Sequence, residues 1–166
     1  NAIDTEAVSN AKNIGTMMTE LQKALPKDEW FDGVMQLDDF DALIFDLDGT
    51  LVDSMPLHIA AWFRAAPEFG LTVDAQWLYR HGGVPSRKIA AILAAEQQVE
   101  LDCEAAARRK TAYYLELIGQ ATPFPAMWQL VEQYHQRLPM AIGTGSLKGN
   151  AEIILQQSGL GQFIQT

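Results

Sequence analysis

A short apolar run that ends in two alternating aspartates constrains the fold more than any other feature of this sequence. Residues 42–45 read Ala-Leu-Ile-Phe, and Asp46-Leu47-Asp48 follows directly. A continuous apolar run bounded by acids is typical of a strand that is buried on both faces of a parallel sheet. Because alternate residues of a strand share a face, we expect Asp46 and Asp48 to leave the sheet about 6–7 Å apart along the chain and to point the same way.

Two carboxylates in this position indicate phosphate chemistry, although acids and glycine also collect in ordinary polar turns. Ligands of open parallel sheets bind beyond the carboxyl ends of the strands, where this pair lies. Two facing anions repel, so either one carboxylate is protonated or a cation lies between them. Mg²⁺ binds one or two carboxylates together with substrate phosphates, and one carboxylate can then attack phosphorus while the other moves protons. Gly49 allows a sharp turn, and we expect its N–H to be free to bind an anion.

Between about residues 55 and 120 the sequence predicts an insert of four helices, each bounded by a capping residue, a proline or a glycine. Their expected extents are 56–69, 75–79 after the cap Asp74, 86–97 with Ser86 as the cap, and 103–118 after the cap Asp102. An insert that directly follows a carboxylate pair is suited to act as a lid, which excludes water and contacts the substrate.

A second apolar run and a glycine turn follow the insert. Residues 138–142 predict another buried strand, and the Gly-Thr-Gly-Ser sequence of residues 143–146 predicts a tight turn before a helix. A hydroxyl group at the end of a buried strand, beside free backbone amides, can bind a phosphate. The G-x-G-x-x-G pattern of dinucleotide sites fails here because residue 148 is lysine. Residues 163–164 are expected to begin a third strand.

The charge and cysteine content limit the partners that we expect. Lys and Arg number 12 and Asp and Glu number 21, a net charge of −9, so the chain has no sequence-independent attraction for nucleic acid or anionic lipid. No apolar run approaches the ~18 residues of a membrane span. Cys103 is the lone cysteine, which excludes a disulfide framework and favours a cytoplasmic location.

Residues 1–36 are predicted to form an amphipathic helical arm that Pro26 interrupts. Its apolar side chains fall at spacings of three and four on one stripe: Ala11, Ile14, Met18, Leu21 and Leu25. The arm is expected to pack on its own domain. The alternative is a contact with a second copy or another chain, because so narrow a stripe is similar to a coiled-coil seam.

Taken together, these motifs resemble those of the haloacid dehalogenase superfamily of phosphotransferases. Within it the sequence resembles the β-phosphoglucomutase-like branch with a helical cap, which includes small fructose-1-phosphatase-like enzymes. The resemblance rests on residues 46–54, on His58 and Trp62 of the insert, and on residues 139–146. The resemblance implies an α/β fold, with a partial Rossmann-like parallel sheet and an inserted four-helix cap. It divides the chain into the arm (1–36), the core (37–54 and 121–166) and the cap (55–120).

The resemblance implies specific roles at the two strand ends. Asp46 would be the nucleophile that forms an aspartyl-phosphate, and would bind Mg²⁺. Asp48 would be the general acid for the leaving alcohol and then the base for water, and its backbone carbonyl would also face the metal. Thr144 and the Gly145 amide would bind the transferring phosphoryl group. The implied reaction is therefore Mg²⁺-dependent hydrolysis of a small sugar phosphate.

Three residues of the insert match family positions that contact substrate. They are His58, Arg87 in the loop of residues 83–87, and Lys110. The competing interpretations are a packed histidine, an exposed arginine and a lysine on a solvated cationic face.

The sequence also departs from the family pattern, because it has no lysine after Lys148 and no acid after Glu152. Family members use a later lysine and a later acidic pair, one acid of which completes the metal site. We therefore expect a fragment, truncated after the second or third strand, or a half that another chain completes through residues 1–36 or the open sheet edge. Weak metal binding and little turnover are expected of these 166 residues alone.

Two alternatives to a phosphatase remain open at this stage. One is a phosphohexomutase on the same scaffold, which Leu147 disfavours because the mutase-like pattern has a lysine after the turn. The other is a non-catalytic interaction module, in which the arm and the cap bind a partner.

Overall fold

The computed structural model describes residues 37 and 40–164, and these residues form two compact units. The helical unit is Met55–Leu117, and the sheet unit consists of residues 37, 40–54 and 118–164. The predicted arm of residues 1–36 lies outside the described residues, as do residues 38–39 and 165–166. Among the described residues, no helix is both long and apolar enough to cross a membrane.

The helical unit contains the four α-helices that the sequence predicts. They are α1 (Met55–Ala65), α2 (Ala75–Arg80), α3 (Ser86–Gln97) and α4 (Cys103–Leu117). A 3₁₀ turn at Ala66–Phe69 extends α1, because Pro67 lacks the N–H that a further α-helical turn would need. Gly70 ends that turn with a positive φ of 69°.

Side-chain caps start two of these helices as expected, and a third expected cap is wrong. The Asp74 carboxylate accepts a hydrogen bond from the Trp77 amide at 2.6 Å. Asp102 likewise accepts from the amides of Glu104 and Ala105, at 2.9 and 3.0 Å. Ser86, by contrast, is the first residue of α3, and the capping position is taken by Pro85 with no side-chain hydrogen bond. Proline fixes its own φ, and its extended backbone sets the start of the helix without a polar cap.

The sheet unit is built on a parallel pair of strands. Strand β1 (Leu43–Phe45) pairs with β4 (Met140–Ile142) in the register Leu43 to Met140 and Phe45 to Ile142. Helix α5 (Pro125–Tyr134) precedes β4, and α6 (Lys148–Ser158) follows it. The expected α/β fold with a parallel sheet and helices is thus confirmed.

The expectation that β1 is buried on both faces is wrong. Phe45 is 8% exposed, whereas its neighbour Ile44 is 76% exposed. Among the described residues β1 and β4 form a sheet of two strands, and only one face of it is covered. An apolar run therefore indicates a strand here without indicating how many layers cover it.

The expected strand at residues 163–164 is also wrong for the described part of the chain. Gly159 ends α6 with a φ of 78°, and a 3₁₀ turn, Leu160–Gln162, follows. The amides of Phe163 and Ile164 donate to the Leu160 carbonyl at 3.0 and 3.2 Å. These local bonds take the groups that a strand ladder would use.

A short antiparallel ribbon, which the sequence did not predict, lies where the chain leaves and re-enters the sheet unit. Strand β2 (Val52–Asp53) pairs with β3 (Thr122–Pro123). The Phe124 amide donates to the Leu51 carbonyl at 3.0 Å and extends the pairing. Strands of two residues carry too little periodicity to be recognised in a sequence.

Candidate functional site

The loops that follow β1 and β4 meet at one edge of the parallel sheet. The Gly143 amide donates to the Phe45 carbonyl at 2.8 Å, directly after the last paired residues of the two strands. The segments 46–51 and 143–147 therefore start side by side. The carboxyl edge of a parallel sheet is the usual position of a ligand site in this class of fold.

The first loop is a tight turn around the Leu47 carbonyl. That oxygen accepts from the amides of Thr50, Leu51 and Val52 at 3.3, 3.0 and 3.1 Å. Gly49 has a φ of 73°, a conformation that glycine adopts at little cost. Its amide donates to the Val52 carbonyl at 2.9 Å, so the expectation of a free Gly49 N–H is wrong. The positive φ turns this N–H back into the loop.

The two aspartates lie on either side of a buried leucine. Leu47 is fully buried, Asp46 is exposed and Asp48 is half-buried. Strand β1 ends at Phe45, so the pair lies just beyond the strand, yet the alternation of burial continues through it. This alternation puts both carboxylates on the side away from the core, as the spacing predicts.

Asp46 is oriented by its own turn. The Leu47 amide donates to Asp46 Oδ1 at 2.8 Å, and the Thr50 hydroxyl donates to Asp46 Oδ2 at 3.5 Å. The first bond fixes one oxygen against the backbone. The second is long, so Oδ2 is the less restrained oxygen.

Asp48 is held on both of its oxygens by serine hydroxyls. The Ser54 hydroxyl donates to Oδ1 at 2.6 Å, and Ser54 has no exposed surface. The Ser146 hydroxyl, 98 residues further along the chain, donates to Oδ2. The contact with Ser146 connects the aspartate loop to the glycine turn, which the sequence predicts to lie at the same sheet edge.

The glycine turn carries the other predicted phosphate-binding residues. The Ser146 amide donates to the Thr144 hydroxyl oxygen at 3.1 Å, which orders the turn from within. Around Gly145, no atom would lie within 4 Å of an added Cβ, so its backbone is accessible. At Gly143 an added Cβ would lie 3.2 Å from the Ile44 side chain, so glycine permits the close approach of β1 and β4.

Ser54 and Ser146 are the site residues that the sequence reasoning missed. Both belong to the segments that carry the family resemblance, but neither was assigned a role. The signal that could have found them is that each of the two motifs ends in a serine, since hydroxyl groups commonly bind neighbouring carboxylates. The spacing alone does not reveal that both hydroxyls bind the same aspartate.

The predicted substrate residues of the insert all lie in the helical unit, where two of them are in contact. Lys110 is 5% exposed, and its ammonium lies 2.6 Å from His58 Nδ1. A lysine ammonium only donates, so Nδ1 is the acceptor. The His58 ring stacks on Tyr114 with centroids 4.0 Å apart, and the Lys110 nitrogen lies 4.8 Å from the centre of that ring. Lys110 is therefore not part of a solvated cationic face.

Arg87 stands apart from this cluster. Its side chain is 75% exposed, and its Nε lies 3.5 Å from a Glu104 carboxylate oxygen. Glu104 also lies 3.9 Å from Arg108, one turn further along α4. Exposed pairs of this kind contribute little to stability, so Arg87 is available for another partner at small cost.

The donor set of the sheet edge suits a hard divalent cation. Asp46 and Asp48 offer oxygen ligands, which Mg²⁺ prefers, and Asp46 is exposed. Across residues 37 and 40–164, no cluster of three or more His, Cys, Asp or Glu residues forms a closed metal cage. Mg²⁺ typically binds through one or two carboxylates, waters and substrate phosphates, so the pair supplies ligands of the kind that this ion takes.

Comparisons with known proteins identify the family of the chain. A family model described as haloacid dehalogenase-like hydrolase matches residues 43–166. Fructose-1-phosphate phosphatase YqaB of Escherichia coli is 38% identical over 122 residues, 73% of this chain and 64% of that protein. Phosphoglycolate phosphatase of Synechococcus elongatus is 33% identical over 132 residues, 72% of this chain and 56% of that protein.

A solved structure shows the same fold. A haloacid dehalogenase-like hydrolase of Streptococcus pneumoniae superposes with a TM-score of 0.66 at 27% identity, covering 76% of this chain and 59% of that one. The chain thus spans less than two thirds of the length of each of these three relatives. These likenesses confirm the family resemblance that the motifs indicated.

Proposed function

The chain belongs to the haloacid dehalogenase-like hydrolases, and from this premise we propose that the protein hydrolyses a small sugar phosphate. Fructose 1-phosphate is the leading candidate, the reaction is Mg²⁺-dependent, and it passes through an aspartyl-phosphate. One observation carries the proposal: two carboxylates two residues apart have different surroundings, Asp46 exposed and Asp48 held by two hydroxyls. Unequal surroundings allow two carboxylates to take different roles.

Asp46 is proposed as the nucleophile. Its bond from the Leu47 amide fixes Oδ1, which leaves Oδ2 to attack phosphorus. The new bond joins this oxygen to phosphorus while the bond from phosphorus to the sugar oxygen breaks. The exposure of Asp46 supports this role, because a substrate must reach the attacking oxygen from solvent.

Asp48 is proposed as the general acid and base. It donates a proton to the departing sugar oxygen, and its carboxylate then accepts a proton from the water that attacks the aspartyl-phosphate. Proton transfer by a positioned carboxyl group contributes ~10²–10⁴-fold to rate. The hydroxyls of Ser54 and Ser146 support this assignment, because they fix the direction in which the carboxyl group points.

The glycine turn and Mg²⁺ are proposed to stabilise the phosphoryl group. Thr144 and the Gly145 backbone would bind its oxygens, which the open space around Gly145 supports. Gly49 contributes by shaping the turn, since its amide is already bound within it. Asp46, through its carboxylate, and Asp48, through its backbone carbonyl, would hold the ion, which when bound neutralises the negative charge of the phosphate.

The helical unit is proposed to act as the cap. His58, Arg87 and Lys110 would bind the sugar or its hydroxyl groups. A protein with a net charge of −9 needs local cations to attract a phosphorylated substrate, and Arg87 and Lys110 can supply them. A cytoplasmic location would match the supply of such metabolites.

The choice of a sugar phosphate rests on the relatives. The Escherichia coli relative is named for fructose 1-phosphate and the Synechococcus elongatus relative for phosphoglycolate. The former is the more similar, with 38% against 33% identity. Leu147 occupies the position where the mutase-like pattern has a lysine, which also favours a hydrolase.

The test is phosphate release by the full-length protein with Mg²⁺ from a panel of phosphomonoesters that includes fructose 1-phosphate and phosphoglycolate. We expect release from the sugar phosphate, and loss of that release in Asp46→Asn. Asp41→Asn is the matched control, since Asp41 is an exposed aspartate of the same unit. Isomerised sugar without free phosphate would indicate a mutase, and no turnover of any ester would reject the proposed function.

A further inference from the structure

We propose that Ser146 is a positioning residue, which fixes the Asp48 carboxyl group for proton transfer; the proposal rests on the proposed phosphatase function. The Ser146 hydroxyl donates to Asp48 Oδ2 from the loop that follows β4. Asp48 itself lies in the loop that follows β1. The bond therefore joins two loops that the chain separates by 98 residues.

The second hydroxyl bond adds a restraint on the carboxyl group. Ser54 binds Oδ1 at 2.6 Å, and a contact on one oxygen restrains the direction of the group less than contacts on both. Ser54 is itself fixed, because it is fully buried and its amide donates to the Val52 carbonyl at 3.0 Å. With Ser146 on the other oxygen, both rotation and tilt of the carboxyl group are restrained.

Ser146 also ties this carboxyl group to the proposed phosphate turn. Its amide donates to the Thr144 hydroxyl oxygen at 3.1 Å, so its backbone is ordered by the residue that is proposed to bind phosphate. The distance between the proton-transfer group and the phosphate is thereby set by one short turn. Small errors in such a distance have large effects on rate.

A hydroxyl suits this task in both charge states of Asp48. It donates to the carboxylate that accepts a proton from water, and it can accept from the carboxylic acid that protonates the leaving oxygen. An ammonium in its place could only donate and would favour the carboxylate alone. Ser146 can therefore serve both halves of the proposed reaction without moving.

The kinetic test compares Ser146→Ala with Ser146→Thr in the full-length protein. We expect Ser146→Ala to lower kcat on fructose 1-phosphate about tenfold with an unchanged KM, and Ser146→Thr to restore most of it. With p-nitrophenyl phosphate, whose leaving group needs no proton, the initial burst of nitrophenol should keep its rate. Ser158→Ala is the matched control, since the Ser158 hydroxyl makes local contacts away from the site: it donates to the Leu155 carbonyl at 3.3 Å and accepts from the Leu160 amide at 3.4 Å.

Two kinetic outcomes would overturn the proposal. An unchanged kcat in Ser146→Ala would show that the second hydroxyl is dispensable. A raised KM for both substrates, with the burst slowed as well, would show that Ser146 binds the phosphate instead.

A second measurement tests the hydrogen bond between Ser146 and Asp48 even if the full-length protein hydrolyses nothing. Ser146→Ala should lower the melting temperature by about 3 °C when Asp48 is present and by almost nothing when Asp48 is alanine. Equal losses in the two backgrounds would show that no bond joins these side chains. Failure of the proposed function and failure of this inference are thus separate results.

Discussion

The sheet unit and the helical unit hold their charged side chains in opposite ways. In the sheet unit, Asp46 and Asp48 lie in a loop beyond a strand, where one is exposed and the other half-buried. In the helical unit, Lys110 is 5% exposed, against an imidazole and an aromatic ring. The first arrangement keeps the charges accessible to a ligand, whereas the second makes the charge part of the packing. Substitution of these side chains should therefore leave stability nearly unchanged in the sheet unit and lower it in the helical unit.

The largest expected effect is on turnover, in Asp48→Asn of the full-length protein. We expect kcat on the sugar phosphate to fall by ~10²–10⁴-fold, because an amide cannot transfer the proton. The free energy of unfolding should change by less than about 1 kcal/mol, since the amide can keep one of the two serine bonds. Steady-state assays measure kcat and urea unfolding of the same samples measures the free energy of unfolding. A large loss of stability would contradict the difference between the two units.

Lys110→Ala in the helical unit should, unlike Asp48→Asn, lower the free energy of unfolding. Removal of the buried side chain leaves a cavity and leaves His58 Nδ1 without its donor, at a cost of about 2–4 kcal/mol in unfolding free energy. Lys110→Met keeps the apolar stem and should cost only about 1 kcal/mol. Lys88→Ala, an exposed lysine of α3, is the control and should stay within about 0.5 kcal/mol. Wild-type stability in Lys110→Ala would show that the lysine is not part of the packing.

Two glycines of the site are expected to matter for different reasons, one for its backbone conformation and the other for the open space around it. Gly49→Ala should cost about 1 kcal/mol of stability, because Gly49 has a φ of 73°. Gly145→Ala should stay within about 0.5 kcal/mol, because nothing lies within 4 Å of the added Cβ. If the Gly145 backbone binds phosphate, Gly145→Ala should instead raise KM. A stable Gly49→Ala protein would contradict the turn geometry.

The smallest expected effect concerns an exposed network on the helical unit. The Arg109 guanidinium, 2.6 Å from Glu68, holds the pKa of Glu68 below its ordinary value of 4.5, and a hydrogen bond from Tyr113 adds to this. A lowered folded-state pKa stabilises the fold above the ordinary value, and this stabilisation is lost as pH falls from there through the folded-state value. Wild type should therefore melt slightly above Glu68→Gln at neutral pH, and the difference should vanish in acid. A difference that grows in acid would contradict this sign.

Features that depend on a few neighbouring residues could be predicted from the sequence. Asp74 and Asp102 cap helices because a carboxylate reaches its own next amides, and Gly70 ends a helix because glycine adopts a positive φ easily. The aspartate pair and the glycine turn were found for the same reason. Each motif is short, and its chemistry requires particular residue types.

Features that depend on distant partners could not be predicted. No pattern in the sequence indicates that Ser146 binds Asp48, since only the pairing of β1 with β4 brings the two loops together. The burial of Lys110 could not be predicted either, because it depends on how α1 and α4 pack. The exposure of Ile44 depends on the number of layers over the sheet. Neither composition nor residue spacing indicates any of these three features.

The most direct test of the central claim is to trap the phosphorylated enzyme. Full-length protein is mixed with fructose 1-phosphate and Mg²⁺, quenched in acid within its turnover time, and mapped by peptide mass spectrometry. We expect one phosphoryl group on Asp46 and none in Asp46→Asn. Turnover without a phosphorylated peptide, or a phosphoryl group on Asp48 or any other residue, would contradict it.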